Sequence, residues 1–337
     1  MFLNKMKKKI IVTGGAGFIG SHLIEFLIKE SDISKIILID NFLDGNYKNI
    51  SSFIKNKKIK IVKKNINNIR KNDKDFRKID CVFHLAAIAD IVPSIKDPLN
   101  YCNTNIMGTI KILEAMRYNK IKKIIFAASS SCYGIPKKYP TDEKQKIDPK
   151  YPYAFSKYTA EQAIIHWSQV YKINYISLRL FNVYGLRSRT TGAYGAVMGV
   201  FLKQKIVSKP LTVVGSGYQQ RDFINVKDVC NAFVKAFKSK KYNNVYNIGS
   251  SKPKKIIELA KLLKNKIIFI PKRPGEPFKT FANINKAIKY LNWKPKILFE
   301  NGIKELLKNI DYWKCAPLWD KHKIKKATKE WFKYLKK

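Results

Sequence analysis

Acidic residues are scarce in this chain: 24 Asp and Glu stand against 67 Lys and Arg, a formal net charge of +43 over 337 residues. An excess of that size, gathered into one patch or tail, would indicate a nucleic-acid binder. It is not gathered. Lysines run from Lys5 to Lys337, arginines are few, and the chain is also rich in Ile and Asn. That pattern fits a bias toward AT-rich codons and reads as a solvated lysine surface, so no nucleic-acid partner is expected. The remaining positive field would still draw in anionic substrates.

Long apolar runs are missing as well. No uninterrupted stretch approaches the ~18 residues of a membrane span, and no membrane partner is expected. The basic start, Met1 to Lys9, runs into a short strand and lacks the apolar stretch and small-residue cleavage site of a signal peptide. The cysteines (Cys81, Cys102, Cys132, Cys230 and Cys315) show neither Cys-x-x-Cys pairing nor metal-ligand spacing. No metal is expected, and an odd count without a framework suits a reducing, cytoplasmic compartment. What is present, 45% hydrophobic and 27% charged residues, describes a globular protein with enough chain for one large domain or two.

The organising stretch is Ile10-Ile11-Val12-Thr13-Gly14-Gly15-Ala16-Gly17-Phe18-Ile19-Gly20. A short apolar run breaks into glycines at 14, 17 and 20, and Leu23, Ile24, Leu27 and Ile28 follow at helical spacing. This predicts strand, tight turn and helix. Glycine permits positive φ and close approach of backbone amides to a pyrophosphate, and the helix N-terminus adds partial positive charge. A plain tight turn is the bland alternative; the flanking strand and helix favour dinucleotide binding. The second strand, Lys35 to Asp40, ends in an acid placed to hold the adenosine ribose hydroxyls. A carboxylate there repels a 2′-phosphate, so NAD is expected rather than NADP.

Further strands are read at Ile59–Val62, at Asp80–Ala87 and at Lys123–Ala128, the last running into Ser129-Ser130-Ser131, with a helical pattern over Pro98–Tyr118. His84 reads as a core or supporting residue, because no acid or metal spacing accompanies it. Alternation of strands and helices implies an α/β fold with a parallel, doubly wound Rossmann-type sheet. Residues 1–175 are assigned to this domain, with later segments crossing back. Residues 176–310 are assigned to a smaller mixed α/β substrate-binding lobe, and 311–337 to an aromatic- and Lys-rich extension carrying Trp313, Trp319 and Trp331.

Tyr153-Ala154-Phe155-Ser156-Lys157 begins a predicted helix, and residues four apart share a face. Tyr153 and Lys157 can thus address one ligand, and a nearby ammonium would lower the phenol pKa and make Tyr153 a usable base. A surface Tyr/Lys pair is the alternative; the preceding dinucleotide turn and serine cluster disfavour it. Ser129, at the carboxyl edge of the sheet, could donate to the same substrate oxygen.

Together these motifs resemble the extended short-chain dehydrogenase/reductases of the nucleotide-sugar epimerase/dehydratase family. The resemblance rests on Thr13–Gly20, Asp40-Asn41, His84–Ala87, Ser129–Ser131 before Tyr133-Gly134, Tyr153 with Lys157, Phe181–Gly185, Gln220–Phe223 and Arg273–Glu276. It implies NAD held by Gly14, Gly17, Phe18, Ile19, Gly20, Asp40, Asn41, Asn65, Ile66, Leu85, Ala86, Ala87, Tyr153 and Lys157. It implies Ser129, Tyr153 and Lys157 as the catalytic set, Lys157 also holding the nicotinamide ribose. Ser130 and Ser131 would face the sugar. Asn182, Arg221 and Arg273 would contact the diphosphate and Glu276 a ribose of a nucleotide sugar, UDP-linked by resemblance. A homodimer built on the helices near 98–118 and 153–171 is also implied. Asn65 stands where the family usually has an Asp facing the adenine amine, and Lys227 replaces a common acid.

Dehydratases of this family carry an Asp-Glu pair where this chain has Ser130 and Ser131. Serine hydroxyls serve poorly as that acid and base. Nucleotide-uronate decarboxylases usually keep a Glu at the second place. The serine triplet and Gly192–Val197 most resemble 4-epimerases of UDP-glucose and UDP-N-acetylglucosamine type, which makes 4-epimerisation of a UDP-hexose through a transient 4-keto sugar the expected reaction. The alternatives are a 4,6-dehydratase or a UDP-glucuronate decarboxylase or epimerase.

Overall fold

The computed structural model describes residues 7–188 and 197–335. Arg189 and the Gly192–Ala196 part of the motif noted above lie outside these residues. Seven strands form the main sheet: β1 (Lys8–Thr13), β2 (Ile33–Asp40), β3 (Ile59–Lys63), β4 (Cys81–His84), β5 (Lys123–Ser129), β6 (Asn174–Leu180) and β7 (Asn244–Ile248). Their order is β7-β6-β5-β4-β1-β2-β3, and every neighbouring pair is parallel. Apolar residues on successive positions of β1 serve opposite faces. Ile10 and Val12 pack with Leu23, Ile24 and Leu27, while Ile11 packs with Ile112, Leu113 and Met116. Burial on both faces is why these strands read as unbroken apolar runs. The predicted Rossmann-type sheet is therefore what forms, and its order reverses between β1 and β4. Carboxyl ends on either side of such a reversal leave a crevice open to a ligand.

Parts of the later chain return to the first sheet. β6 and β7 lie within the 176–310 region assigned to a second lobe, apart from the first residues of β6, yet they extend the first sheet. The Val226–Lys238 helix also belongs there, with Val229 and Phe233 in the same core as Ile10. Strand periodicity reports burial but not which sheet a strand joins, so the boundary could not be placed from pattern alone. The second body is assembled from the chain around these insertions. It pairs Leu211–Val214 with Ile267–Ile270, and Phe201, Leu259, Ile303 and Trp313 fill its core.

The C-terminal segment packs onto the body, as its aromatic content suggests. A 3₁₀ turn (Ile310–Trp313) leads to two short helices, Lys321–Ala327 and Lys329–Leu335, and both Trp313 and Trp331 are buried. Among the described residues no helix is long and apolar enough to cross a membrane.

Candidate active site

A cleft of ≈ 640 Å³ opens at the carboxyl ends of β1 and β4 and continues into the second body. The glycine turn forms its floor. Gly14 has φ +69°, and a Cβ there would sit 2.8 Å from the Ala86 nitrogen. A Cβ on Gly20 would reach the Gly14 carbonyl oxygen at 2.1 Å. Only glycine allows β1, the turn and the Phe18–Ile28 helix to close this tightly. The result is a cradle at a helix N-terminus, with Gly17, Phe18 and Ile19 on the cleft wall.

Asp40, at the end of β2, is buried and faces the same cleft. One carboxylate oxygen accepts from the Ala16 amide at 2.9 Å and the other from the Phe42 amide at 2.8 Å. Burial pushes its pKa up and these amides pull it back. Asp40 therefore shapes the turn as well as facing the ligand space. Asn41, Asn65, Ile66, Leu85, Ala86 and Ala87 also line the cleft. The Asn41 side-chain oxygen caps the Leu43 amide at 3.0 Å, and that of Asn65 caps the Asn67 amide at 2.9 Å. His84 lies behind this wall, held between the hydroxyls of Thr13 (2.7 Å) and Thr109 (2.9 Å). Burial lowers its pKa to about 3, so it is a neutral supporting group, as expected.

The reacting end is built by β5 and the Pro152–Tyr171 helix. Ser129 ends β5 and its hydroxyl meets that of Ser131 at 2.8 Å, with Ser130 alongside on the cleft wall. Tyr153 and Lys157 lie one turn apart on the helix and both reach the cleft. The expected direction of the phenol shift is not what the surroundings produce. Burial raises the Tyr153 pKa and outweighs every other influence, and the downward pull comes from the nearby Ser129 hydroxyl. Lys157, with its ammonium 4.3 Å from the Phe126 ring centroid, is itself lowered to about 7 by burial. The nearby group that pulls the phenol pKa down is the Ser129 hydroxyl.

Across the cleft, two arginines share one carboxylate. Arg221 Nη2 lies 2.9 Å from Glu276 Oε1, and Arg273 Nε lies 2.9 Å from Glu276 Oε2. These guanidiniums hold the Glu276 carboxyl below its usual range despite burial. Glu276, expected on a ribose, thus also bridges the arginines. Two cations against one anion leave net positive charge facing the cleft, which suits a phosphate-bearing ligand. Asn182 completes this wall; its side-chain oxygen accepts from the Thr280 hydroxyl at 2.9 Å, so its amide hydrogens remain oriented as donors. Lys227, in place of a family acid, pairs with Glu305 at 2.6 Å away from this chemistry.

Several supporting residues escaped the sequence reading. Asn105 accepts from the Ile88 amide at 2.9 Å and donates to Ser156 Oγ at 2.9 Å, tying the wall after β4 to the Tyr153 helix. Arg179 on β6 pairs with Glu161, one turn beyond Lys157, and also donates to the Tyr133 hydroxyl at 3.0 Å. Thr13 Oγ1 accepts from the Leu85 and Ala86 amides, both at 3.2 Å. Each contact joins residues distant in the chain, so only the Thr13 position, inside the glycine motif, carried any local signal.

Comparison with known proteins agrees with this geometry. A family model described as GDP-mannose 4,6 dehydratase matches residues 11–306. The chain belongs to this family of extended short-chain dehydrogenase/reductases. A putative UDP-glucose 4-epimerase of Methanocaldococcus jannaschii is 37% identical over 306 residues, 88% of this chain and 97% of that protein. A UDP-glucuronic acid 4-epimerase of Bacillus cereus, solved with UDP-glucuronic acid and NAD, superposes with a TM-score of 0.84 at 33% identity, covering 90% of this chain and 99% of that one. A UDP-glucose 4-epimerase of Thermotoga maritima, solved with UDP-glucose, gives a TM-score of 0.83 at 30% identity over 91% of this chain and 99% of its own.

Proposed function

We propose that this chain is an NAD-dependent 4-epimerase of a UDP-hexose. The observation that carries it is one cleft lined by Ser129, Tyr153 and Lys157 on one side and by the Arg221–Glu276–Arg273 cluster on the other. The glycine cradle fits a dinucleotide: the Gly14 and Gly20 contacts leave no room for side chains, and Asp40, Asn65 and Ala86 line the path beyond. These residues would hold NAD, with Lys157 near its nicotinamide ribose. When bound, NAD supplies the acceptor and later the donor of the C4 hydride.

The chain's own residues do the rest. Tyr153 as phenolate takes the proton of the sugar 4-hydroxyl and returns it at the end of the cycle. Ser129, with a single hydroxyl proton, donates to the phenol oxygen before substrate binds and to the sugar oxygen once it is in place. Arg221, Arg273 and Asn182 keep the diphosphate anchored while the 4-keto sugar presents its other face. Ser130 and Ser131 offer no carboxylate for removal of water. The exposed apolar side chains Leu99, Met107 and Phe155 support a homodimer through the 98–118 and 153–171 helices.

The test is incubation with UDP-, dTDP-, CDP- and GDP-hexoses and with UDP-glucuronate, products being identified by NMR. A C4 epimer of a UDP-hexose, formed without added NADH, is the expected result. A 4-keto-6-deoxy sugar or a pentose as main product would contradict the proposal.

A further inference from the structure

The segment after Ile310 lies beyond the 11–306 matched by the family model, yet it reaches the cleft. Trp331 is 3% exposed, and its indole Nε1 donates to the Pro274 carbonyl at 2.7 Å. Its ring lies 5.8 Å from that of Tyr151, and the Arg273 guanidinium carbon lies 5.9 Å from the centroid. The loop that carries Arg273 has no regular secondary structure, and at Gly275, with φ +70°, the neighbouring atoms are those of Leu335. The C-terminal helix is thus the wall on which the Arg273 loop rests. The same segment is also fastened to the other half of the molecule. The Tyr312 hydroxyl donates to Asn49 Oδ1 at 3.0 Å, and the Lys329–Leu335 helix packs on the Ile91–Lys96 helix beside the Tyr153 end of the cleft.

We propose that this C-terminal segment completes the substrate pocket, with Trp331 as the positioning residue that holds Arg273 on the diphosphate of a nucleotide sugar. The proposal rests on reading the Arg221–Glu276–Arg273 cluster as a diphosphate site. Its physical basis is preorganisation. A guanidinium on a loop loses freedom when it engages phosphate, and a buried indole that holds the adjoining Pro274 carbonyl removes part of that freedom beforehand. The ring centroid also lies within cation–π reach of the guanidinium, whose Nε and Nη2 donate to Glu276 at 2.9 and 3.2 Å. Relatives lacking such a segment would have to fix the loop by other contacts.

The experiment is calorimetric titration of UDP into the full-length wild type, Trp331→Ala, Arg273→Ala and the double variant, with NAD binding measured alongside. Trp331→Ala should weaken UDP binding about five- to tenfold, leave NAD binding unchanged, and be only partly rescued by Trp331→Phe, which restores the ring but not the N–H to the Pro274 carbonyl. In the Arg273→Ala background it should have little further effect, because the two act as one unit. Wild-type affinity in Trp331→Ala, or losses that simply add in the double variant, would overturn the proposal. If Trp331→Ala fails to fold, hydrogen exchange on the wild type decides. UDP should slow exchange in peptides covering 329–335 together with 272–277, and slowing confined to 272–277 would overturn it. A wild type that does not bind UDP, with Arg273→Ala no different, would instead remove the diphosphate reading on which this rests.

Discussion

Lys157 shows at the scale of one residue what this site demands of the fold. It is 4% exposed, and burial lowers its pKa to about 7. In the unfolded chain a lysine keeps its proton to pH ~10.4. Between these values the unfolded state binds more protons, so stability from this group rises with pH through that window, and the penalty is fully present below pH 7. Lys157→Met should therefore be more stable than the wild type at pH 6.5, by on the order of a few kcal/mol. The gain should shrink as pH rises toward 10. Urea unfolding of cofactor-stripped protein across this range measures it, and a gain that does not vary with pH would contradict the account. Ser129 acts on the phenol with the opposite sign to burial. Ser129→Ala should raise the Tyr153 pKa and move the acid-side limb of the kcat/KM profile to higher pH, with activity near neutrality falling roughly 10- to 100-fold. An unmoved limb would show that the serine does not tune the base.

At the scale of elements, two devices hold the site. The glycine turn needs Gly14 at φ +69° with the Ala86 nitrogen 2.8 Å from any added Cβ. Gly14→Ala should lower stability by about 1–3 kcal/mol and abolish NAD binding, as thermal melts and cofactor content would show. The second device is the buried Glu161–Arg179 pair beneath the Tyr153 helix. Arg179→Met leaves the Glu161 carboxylate unpaired and should cost about 3–5 kcal/mol; a loss under 1 kcal/mol in chemical unfolding would show that the pair does not hold the helix. These two devices also mark how far the sequence could be read. The glycine turn, the acid ending β2, the serines after β5 and the Tyr153–Lys157 spacing are local patterns, each set by neighbours within a few positions, and they predict the cleft's contents. The Glu161–Arg179 pair and the Asn105–Ser156 bond join separate elements, and no local period announces them. Which later segments return to the first sheet, here β6 and β7, was not legible for the same reason, since pairing partners are chosen by the tertiary fold. Local chemistry also misjudged Tyr153: a neighbouring lysine suggests a lowered pKa, but burial of both groups reverses the sign.

For the whole molecule, the net charge of +43 should steer an anionic nucleotide sugar toward the cleft. If encounter contributes to turnover, kcat/KM for a UDP-sugar should fall as salt is raised, while kcat stays level. The full reaction makes a further demand, because the proposed cycle removes a hydride from C4 and restores it to the same carbon from the other face. A UDP-hexose deuterated at C4, followed by NMR in ordinary water, reports this directly. The account predicts an epimerised product that retains deuterium at C4. Protium at C4, or deuterium carried to C6, would contradict it.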